Sequence, residues 1–541
     1  MHTPNFSGAR IPIQSNFNLA QFDFYLEHYQ DGIIVDFLRY GWPINYVGSL
    51  PSSTLSNHPS AAKNSVFLRS YVHKELVHRS ICGPFTSNPF DTNCVISPLL
   101  CVPKRDSDEL RVVHDLSFPE GFSVNDGIAK DSYLNEPFRL RLPGIDRLVE
   151  FVNKEGSGCH VFKKDLSRAY RQIPVDPGDY HLLGFQVDGH FFFHSAFPFG
   201  LRSATLACQR TTQSVAYILN TMGILVDVYI DDFYRACRPS HSHSAFQRMN
   251  TLFDELGLLT SAAKDVPPCH RMVCLGVEID TSAMTLTVPQ FRLDELDVEL
   301  HQWLEKSTYT KHALQSLLGK LSYVSACVRP GRVYMCRLLN ALRDTTSRRS
   351  ARRITDDMRA DIAWWIYLLQ HYNGVSVIPS NVTISNPYLF ACDACLSGCG
   401  AVCFGEYFKR CFPPAILALT LHINVLELLT VVVTVKLWAT SLQGLNVELY
   451  SDNTACIAAI NNKSSSNVHM QCCLRELWLI LSVHNISLVV HHVPSKENSL
   501  ADSLSRYNSD FSARQFVDNY AATHELVEIS LQDTLFSFFL L

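Results

Sequence analysis

Charge is scarce in these 541 residues: Asp, Glu, Lys and Arg make up 18% of the chain, against about 25% in ordinary soluble domains. The formal net charge is −5, so there is no general basic surface for gripping a polyanion, and any such grip must come from local clusters. Two are present. Lys163, Lys164, Arg168 and Arg171 form one; Arg343, Arg348, Arg349, Arg352 and Arg353 form a stripe that reads equally well as a solvated linker. Long uncharged apolar runs are missing too. The most apolar stretch, 414–438, is interrupted by His422, Glu427 and Lys436, which excludes a bilayer-spanning helix of about 20 residues, so no membrane partner is expected. The opening lacks a secretory pattern and the 18 cysteines are scattered; reduced thiols in an intracellular protein, cytoplasmic and/or nuclear, are the expectation. CDAC (392–395) has no second Cys pair at zinc-ribbon distance, so structural zinc is not expected.

What is present is more specific. In ILVDVYIDDFY (224–234) two adjacent acids, Asp231 and Asp232, interrupt β-branched and aromatic strand residues, a pattern that predicts a strand, a tight acidic turn and a return strand. Neighbouring carboxylates repel, and a fold tolerates them most readily around a divalent cation. A third acid, Asp165, ends the strand-like run VFKKD (161–165). Two carboxylates from a hairpin and one from a neighbouring strand suit two Mg²⁺ ions about 3.5–4 Å apart, the arrangement for in-line phosphoryl transfer.

DLSRAYRQIPV (165–175), FPFGLRSA (197–204), YIDDF (229–233) and CLGVEID (274–280) together resemble, in order and spacing, the motifs of retroelement reverse transcriptases. The resemblance implies a multidomain protein of α/β and α+β character: a loosely structured leader at 1–65, right-hand polymerase fingers and palm at 66–283, and a helical thumb and connection at 284–375. It implies an RNA-directed DNA polymerase using an RNA template, a DNA primer and deoxynucleoside triphosphates, with Asp165, Asp231 and Asp232 as catalytic ligands of Mg²⁺, Mn²⁺ being the alternate. Lys104 and Arg111, flanking a polar turn, would hold the triphosphate; Tyr170 would exclude ribonucleotides. Phe199 and Gly200 would lie at the nucleotide and template-primer, with Ser203 capping the following helix. Lys264 would protonate the pyrophosphate leaving group or be an ordinary surface lysine. Thr205 stands where the family usually has Pro, and Asp227, inside the hairpin strand, has no evident use.

Beyond a linker-like stretch at 371–387, rich in Asn, Ser, Pro and Gly, the pattern becomes strand, strand, helix, strand, helix. Asp393, Glu427, Asp452 and Asp502 fall in that order on those segments, and Asn498 precedes the last helix as a candidate cap. This arrangement resembles the ribonuclease H fold, placed at 386–507 with a C-terminal tail at 508–541. The resemblance implies cleavage of the RNA strand of an RNA-DNA hybrid by the four acids around two Mg²⁺ ions, with His492 assisting product release; His491 beside it is the alternative structural histidine.

HDLSFPEGFSVNDGI (114–128), HINVLELL (422–429) and SDNTACIAAINN (451–462) look most like DIRS-type elements, with gypsy-like elements second, so a recombinase or integrase encoded by the same element is the expected companion. An aspartic-protease motif is absent, since DTSA (280–283) lacks the glycine. The reading from another class is a domesticated or decayed, catalytically silent protein that binds nucleic acid.

Overall fold

The computed structural model describes residues 15–49, 54–103, 109–140, 142–325, 327, 333–344, 351–371, 375–377, 383–384, 390–484 and 486–540. The chain divides into two units, 1–272 and 273–541.

The first unit begins with a departure from expectation. Residues 15–49 are not a loose leader: α1 (Leu19–Tyr25) and α2 (Ile34–Tyr40) deliver Phe22, Ile34, Phe37 and Leu38, and the segment after α2 delivers Trp42 and Ile44, all buried, into the unit's main core. Their spacing of three and four along each helix is the apolar face of short amphipathic helices, hidden in the sequence by surrounding Ser, Asn and Pro. After a single-turn helix, Pro59–Lys63, the longer α3 (Ser65–Val77) ends before Gly83 and Pro84, which lie instead in the strand Ile81–Phe85. Strands β1 (Leu99–Pro103) and β2 (Leu110–His114) form an antiparallel hairpin whose register runs from Leu99 opposite His114 to Pro103 opposite Leu110; Lys104, at its turn, lies outside the described residues.

The palm sheet follows. After α4 (Ile145–Glu155) come β3 (His160–Asp165), the short α5 (Ala169–Gln172), the long α6 (Ala204–Thr221), the hairpin β4 (Asp227–Tyr229) and β5 (Asp232–Cys237), α7 (Pro239–Leu256) and β6 (Val266–Cys269). The four strands pair antiparallel in the order β6-β3-β5-β4. Successive side chains alternate between sheet faces, and Phe162 and Phe233 meet Phe246 and Phe253 of α7 on one of them.

In the second unit, helices Gln290–Glu305, Lys311–Val324, Cys336–Arg343 and Asp356–His371 bury Leu293, Leu296, Leu300, Leu314, Leu317, Leu318 and Leu321. Of the arginine stripe, Arg348 and Arg349 lie outside the described residues, whereas Arg352 and Arg353 are exposed on a short strand paired with Thr308–Tyr309. Most of the linker-like stretch at 371–387 is likewise not described. The larger sheet has an antiparallel meander, β7 (Phe390–Ala394), β8 (Gly398–Cys403) and β9 (Glu406–Cys411), extended by β10 (Asn446–Ser451) and β11 (Ser487–His492), both running parallel to β7. Helix α8 (Ile423–Leu437), which separates β9 from β10 in the chain, is buried continuously from Val425 to Val435. A helix apolar on all sides is a core helix, and among the described residues none is long and apolar enough to cross a membrane. After α9 (Ser499–Arg506), the chain does not trail off as a tail: α10 (Phe511–Thr523) buries Val517, and β12 (Val527–Glu528) adds parallel to β9. Asp510 opens α10 by accepting the N–H groups of Ser512 and Ala513, a side-chain cap.

Candidate active sites

The register of the palm sheet sets Asp165, last residue of β3, directly opposite Asp232, first residue of β5. Because Asp232 also pairs with Tyr229, Ile230 and Asp231 are the two residues of a tight hairpin turn. Ile230 takes a φ of 57°, the left-handed conformation such turns require. The turn is held from below by Gln209 of α6, fully buried, whose amide donates to the Val228 carbonyl (2.9 Å) and accepts the Ile230 N–H (2.7 Å). The Asp231 carbonyl in turn accepts the Leu166 N–H at 3.1 Å. Gln209 escaped the sequence reading; the one signal for it is a polar amide on an otherwise apolar helix face, which must find a partner when buried.

The electrostatics are those of crowded acids. Burial raises the Asp165 carboxyl above its ordinary range, and burial together with the charges of Asp165 and Asp232 pushes Asp231 up to about 6. Asp232 Oδ1 is buried without a hydrogen bond, its nearest cation being Lys163 Nζ at 3.8 Å. Lys264 is no lone surface lysine: its ammonium donates to both oxygens of Asp165, at 3.1 and 3.2 Å. Asp265 accepts the Asp165 N–H (3.1 Å) and the Lys164 ammonium, anchoring the end of β3 from β6's side. Crowded oxygen donors with raised pKa and an orphaned buried oxygen fit a hard divalent cation.

Next to the acids is an aromatic group. The Tyr170 ring stands edge-on to Phe199 at 5.3 Å and its hydroxyl lies 3.4 Å from Thr205 Oγ1, while the exposed Arg111 guanidinium covers Phe199 at 5.2 Å. The structure thus brings Arg111, Phe199 and Tyr170 together. Gly200 is held close to the chain's own β1–β2 hairpin: at φ 108° a Cβ there would sit 2.1 Å from the His114 carbonyl oxygen. Ser203 holds the N-cap position of α6, yet its side chain makes no capping bond. Asp227 does have a partner, Arg147 Nε at 3.1 Å.

In the second unit, Asp393 lies within β7, Glu427 on α8 and Asp452 just past β10. One carboxylate oxygen from each comes within 4.8 Å of the other two, the one such group of three among the described residues. Asp393 and Glu427 are 4% and 5% exposed. Burial, then neighbouring acids (Asp452 and Asp502 for Asp393, Asp393 and Asp452 for Glu427), raise both carboxyls, and Glu427 Oε2 has no hydrogen-bond partner among the described residues. Ser505 donates to Asp393 (2.8 Å) and Ser495 to Asp452 (2.6 Å). These residues also fit a hard cation. Asp502 stands outside the trio and pairs with Arg506 at 2.7 Å, though its charge still reaches Asp393.

His492 is exposed and is the register partner of Ser451, which precedes Asp452; His491 packs on Tyr450 and lies 3.6 Å from Glu448. Asn498 is at the N-cap of α9 but donates instead to the Cys392 carbonyl at 3.4 Å.

Residues 102–279 match the family model described as reverse transcriptase (RNA-dependent DNA polymerase). The chain is 26% identical over 164 residues to Protein P of duck hepatitis B virus (isolate white Shanghai duck S31), covering 30% of this chain and 20% of that protein. It is 23% identical over 405 residues to Polyprotein P3 of Commelina yellow mottle virus, covering 71% and 19%. The chain spans about a fifth of the length of these curated relatives. Among solved structures it is similar to the foamy viral protease-reverse transcriptase in complex with double-stranded DNA, at 15% identity and a TM-score of 0.49 over 90% of this chain and 80% of that one. A second foamy viral structure, in complex with an RNA/DNA hybrid, gives 16% identity and a TM-score of 0.46 over 91% and 62%. The family match opens inside the Arg111 hairpin and closes at Ile279, so the whole palm sheet falls within it, and this part of the chain is a reverse transcriptase domain.

Proposed function

We propose that the chain is an RNA-directed DNA polymerase that copies retroelement RNA into DNA, joined to a ribonuclease H domain that degrades the RNA strand of the resulting hybrid. The observation that carries the reading is the pairing of Asp165 with Asp232 beside the Asp231 turn, inside the reverse transcriptase match. Asp165, Asp231 and Asp232 would hold Mg²⁺, which when bound supplies charge neutralisation and nucleophile activation for phosphoryl transfer. Arg111 faces outward to hold the anionic triphosphate, and Tyr170, fixed by Phe199 and Thr205, walls off the space of a 2′-hydroxyl. Lys264, already on Asp165, keeps a proton at the edge of the site for the leaving pyrophosphate.

For the nuclease, Asp393, Glu427 and Asp452 would hold the ion, Asp502 would join them on release from Arg506, and His492 would assist product departure. The meander with two added parallel strands and the three clustered acids support this reading. The DIRS-type subtype rests on the sequence segments at 114–128, 422–429 and 451–462, and a recombinase would accompany it. The test is primer extension on a primed RNA template with deoxynucleoside triphosphates and Mg²⁺. Product that accumulates with wild-type protein and vanishes with Asp231→Asn supports the enzyme; equal, metal-independent binding of nucleic acid by both without synthesis supports the silent protein.

A further inference from the structure

On the palm's other side, a feature unconnected with the acids calls for an occupant. Arg235 is three residues beyond Asp232 on β5, so strand alternation sends the two side chains to opposite faces, Arg235 sharing its face with Phe233 and α7. It is only 8% exposed, and burying a guanidinium ordinarily demands a carboxylate. Among the described residues it has none: one nitrogen donates to the Leu225 carbonyl at 3.1 Å, another meets Cys237 Sγ at 3.7 Å, and Nε is buried with no partner.

Arg235 lines an open cavity of about 630 Å³, within the range of small-ligand sites. The rim carries three cations, Lys154 at the end of α4, Arg238 at the N-cap of α7 and Arg248 on α7 itself, with His241 beside them. From α7, Ser244 and Ala245 complete the lining on that side. One carboxylate, Glu155, also lines the cavity and reaches Arg238 at 3.7 Å, while Glu255, outside the lining, reaches Arg248 at 3.3 Å; both pairs are at exposed arginines, where pairing is weak.

We propose that this cavity binds a phosphate group, with Arg235 as its floor and Lys154, Arg238 and Arg248 as its walls. A planar guanidinium backed by further cations is a standard recognition element for phosphate, and the cavity is roomy enough for a nucleoside phosphate or a nucleic-acid backbone segment. The site is separate from the polymerase acids and does not depend on their function.

The test titrates full-length protein, without Mg²⁺, with inorganic phosphate and separately with a short oligonucleotide lacking terminal phosphate. Wild type is compared with the exposed double variant Arg238→Glu/Arg248→Glu and with Arg235→Gln. Saturable phosphate binding that weakens at least tenfold in the double variant assigns a free phosphate ligand; weakening confined to the oligonucleotide assigns a backbone phosphate. Arg235→Gln should behave likewise, and the double variant carries the test should Arg235→Gln fail to fold. Unchanged titration of both probes by the double variant overturns the site. Primer extension by the double variant should stay within twofold of wild type; its loss would put these cations in the polymerase's own grip on nucleic acid and overturn a separate site.

Discussion

Asp165 and Asp232 face each other across adjacent antiparallel strands, and the ammonium of Lys264 rests on both oxygens of Asp165. A positive group is thus built in where repulsion would otherwise open the sheet end. Asp231, at the turn, makes no ion pair of its own among the described residues, and burial with the charges of Asp165 and Asp232 outweighs the pull of Lys264 on its carboxyl. Asp231→Asn removes one negative ligand while leaving the turn intact, and should lower primer extension at least about a thousandfold, roughly 4 kcal/mol of barrier. Single-turnover extension on a primed RNA template measures it; rates within tenfold of wild type would remove Asp231 from the chemistry.

Tyr170→Val should admit ribonucleotides. The ring is fixed by Phe199 and Thr205, so truncating it opens space without moving the acids. The readout is the ratio of ribonucleotide to deoxyribonucleotide incorporation. A merely packed tyrosine would instead lower stability and total synthesis at a constant ratio.

The two carboxylate sets belong to different units of the chain. Asp452→Asn should abolish cutting of RNA in a labelled hybrid with polymerisation largely kept, and Asp232→Asn should do the reverse. Wild-type cleavage by Asp452→Asn protein would show that the nuclease acids are wrongly assigned.

Asp179 makes a pH-dependent contribution to stability. It accepts the Ile44 N–H at 2.7 Å, tying the α2 segment to the palm, and burial, with some help from Asp176, pushes its carboxyl up to about 7 against an ordinary 3.8. The folded state therefore favours the protonated form: the contribution is full below the unfolded value near 4 and is lost as pH rises through 7. Asp179→Asn keeps an acceptor for Ile44 and removes the charge. It should be more stable than wild type at pH 8 by roughly 1–2 kcal/mol and nearly equal at pH 4. Urea midpoints at the two pH values decide it, a pH-independent difference counting against the account.

Gly200→Ala should destabilise the β1–β2 hairpin. Both the φ of 108° and the 2.1 Å approach to the His114 carbonyl exclude a side chain, so a loss of about 1–3 kcal/mol is expected. Thermal unfolding measures it; an unchanged midpoint would mean that the hairpin can move away at no cost.

The hairpin turn and the strands carrying Asp165 and Asp452 were legible because apolar or β-branched runs end on an acid, and Asp393 and Glu427 stood out as lone acids inside apolar runs. The helices at 19–40 and the packed segment after Asp510 were not legible, since a few apolar residues spaced by three and four do not stand out from polar neighbours until the core they fill is known. Partners distant in sequence stayed hidden for the same reason: Arg147 for Asp227, 80 residues away, and Gln209 for the Val228 carbonyl. Asp502, expected in the nuclease group, pairs locally with Arg506, a contact of one helical turn that its spacing permitted but did not announce.

The left-handed conformation of Ile230 has a consequence for how this protein can change. A β-branched residue there carries a conformational cost of roughly 1–3 kcal/mol, met by the two hydrogen bonds from Gln209. Gly or Asn at 230 would relax the turn and keep both Gln209 bonds, which go to backbone groups. Variants selected for heat resistance alone should therefore drift away from isoleucine, and if Asp231 acts as proposed, a looser turn tip would cost turnover.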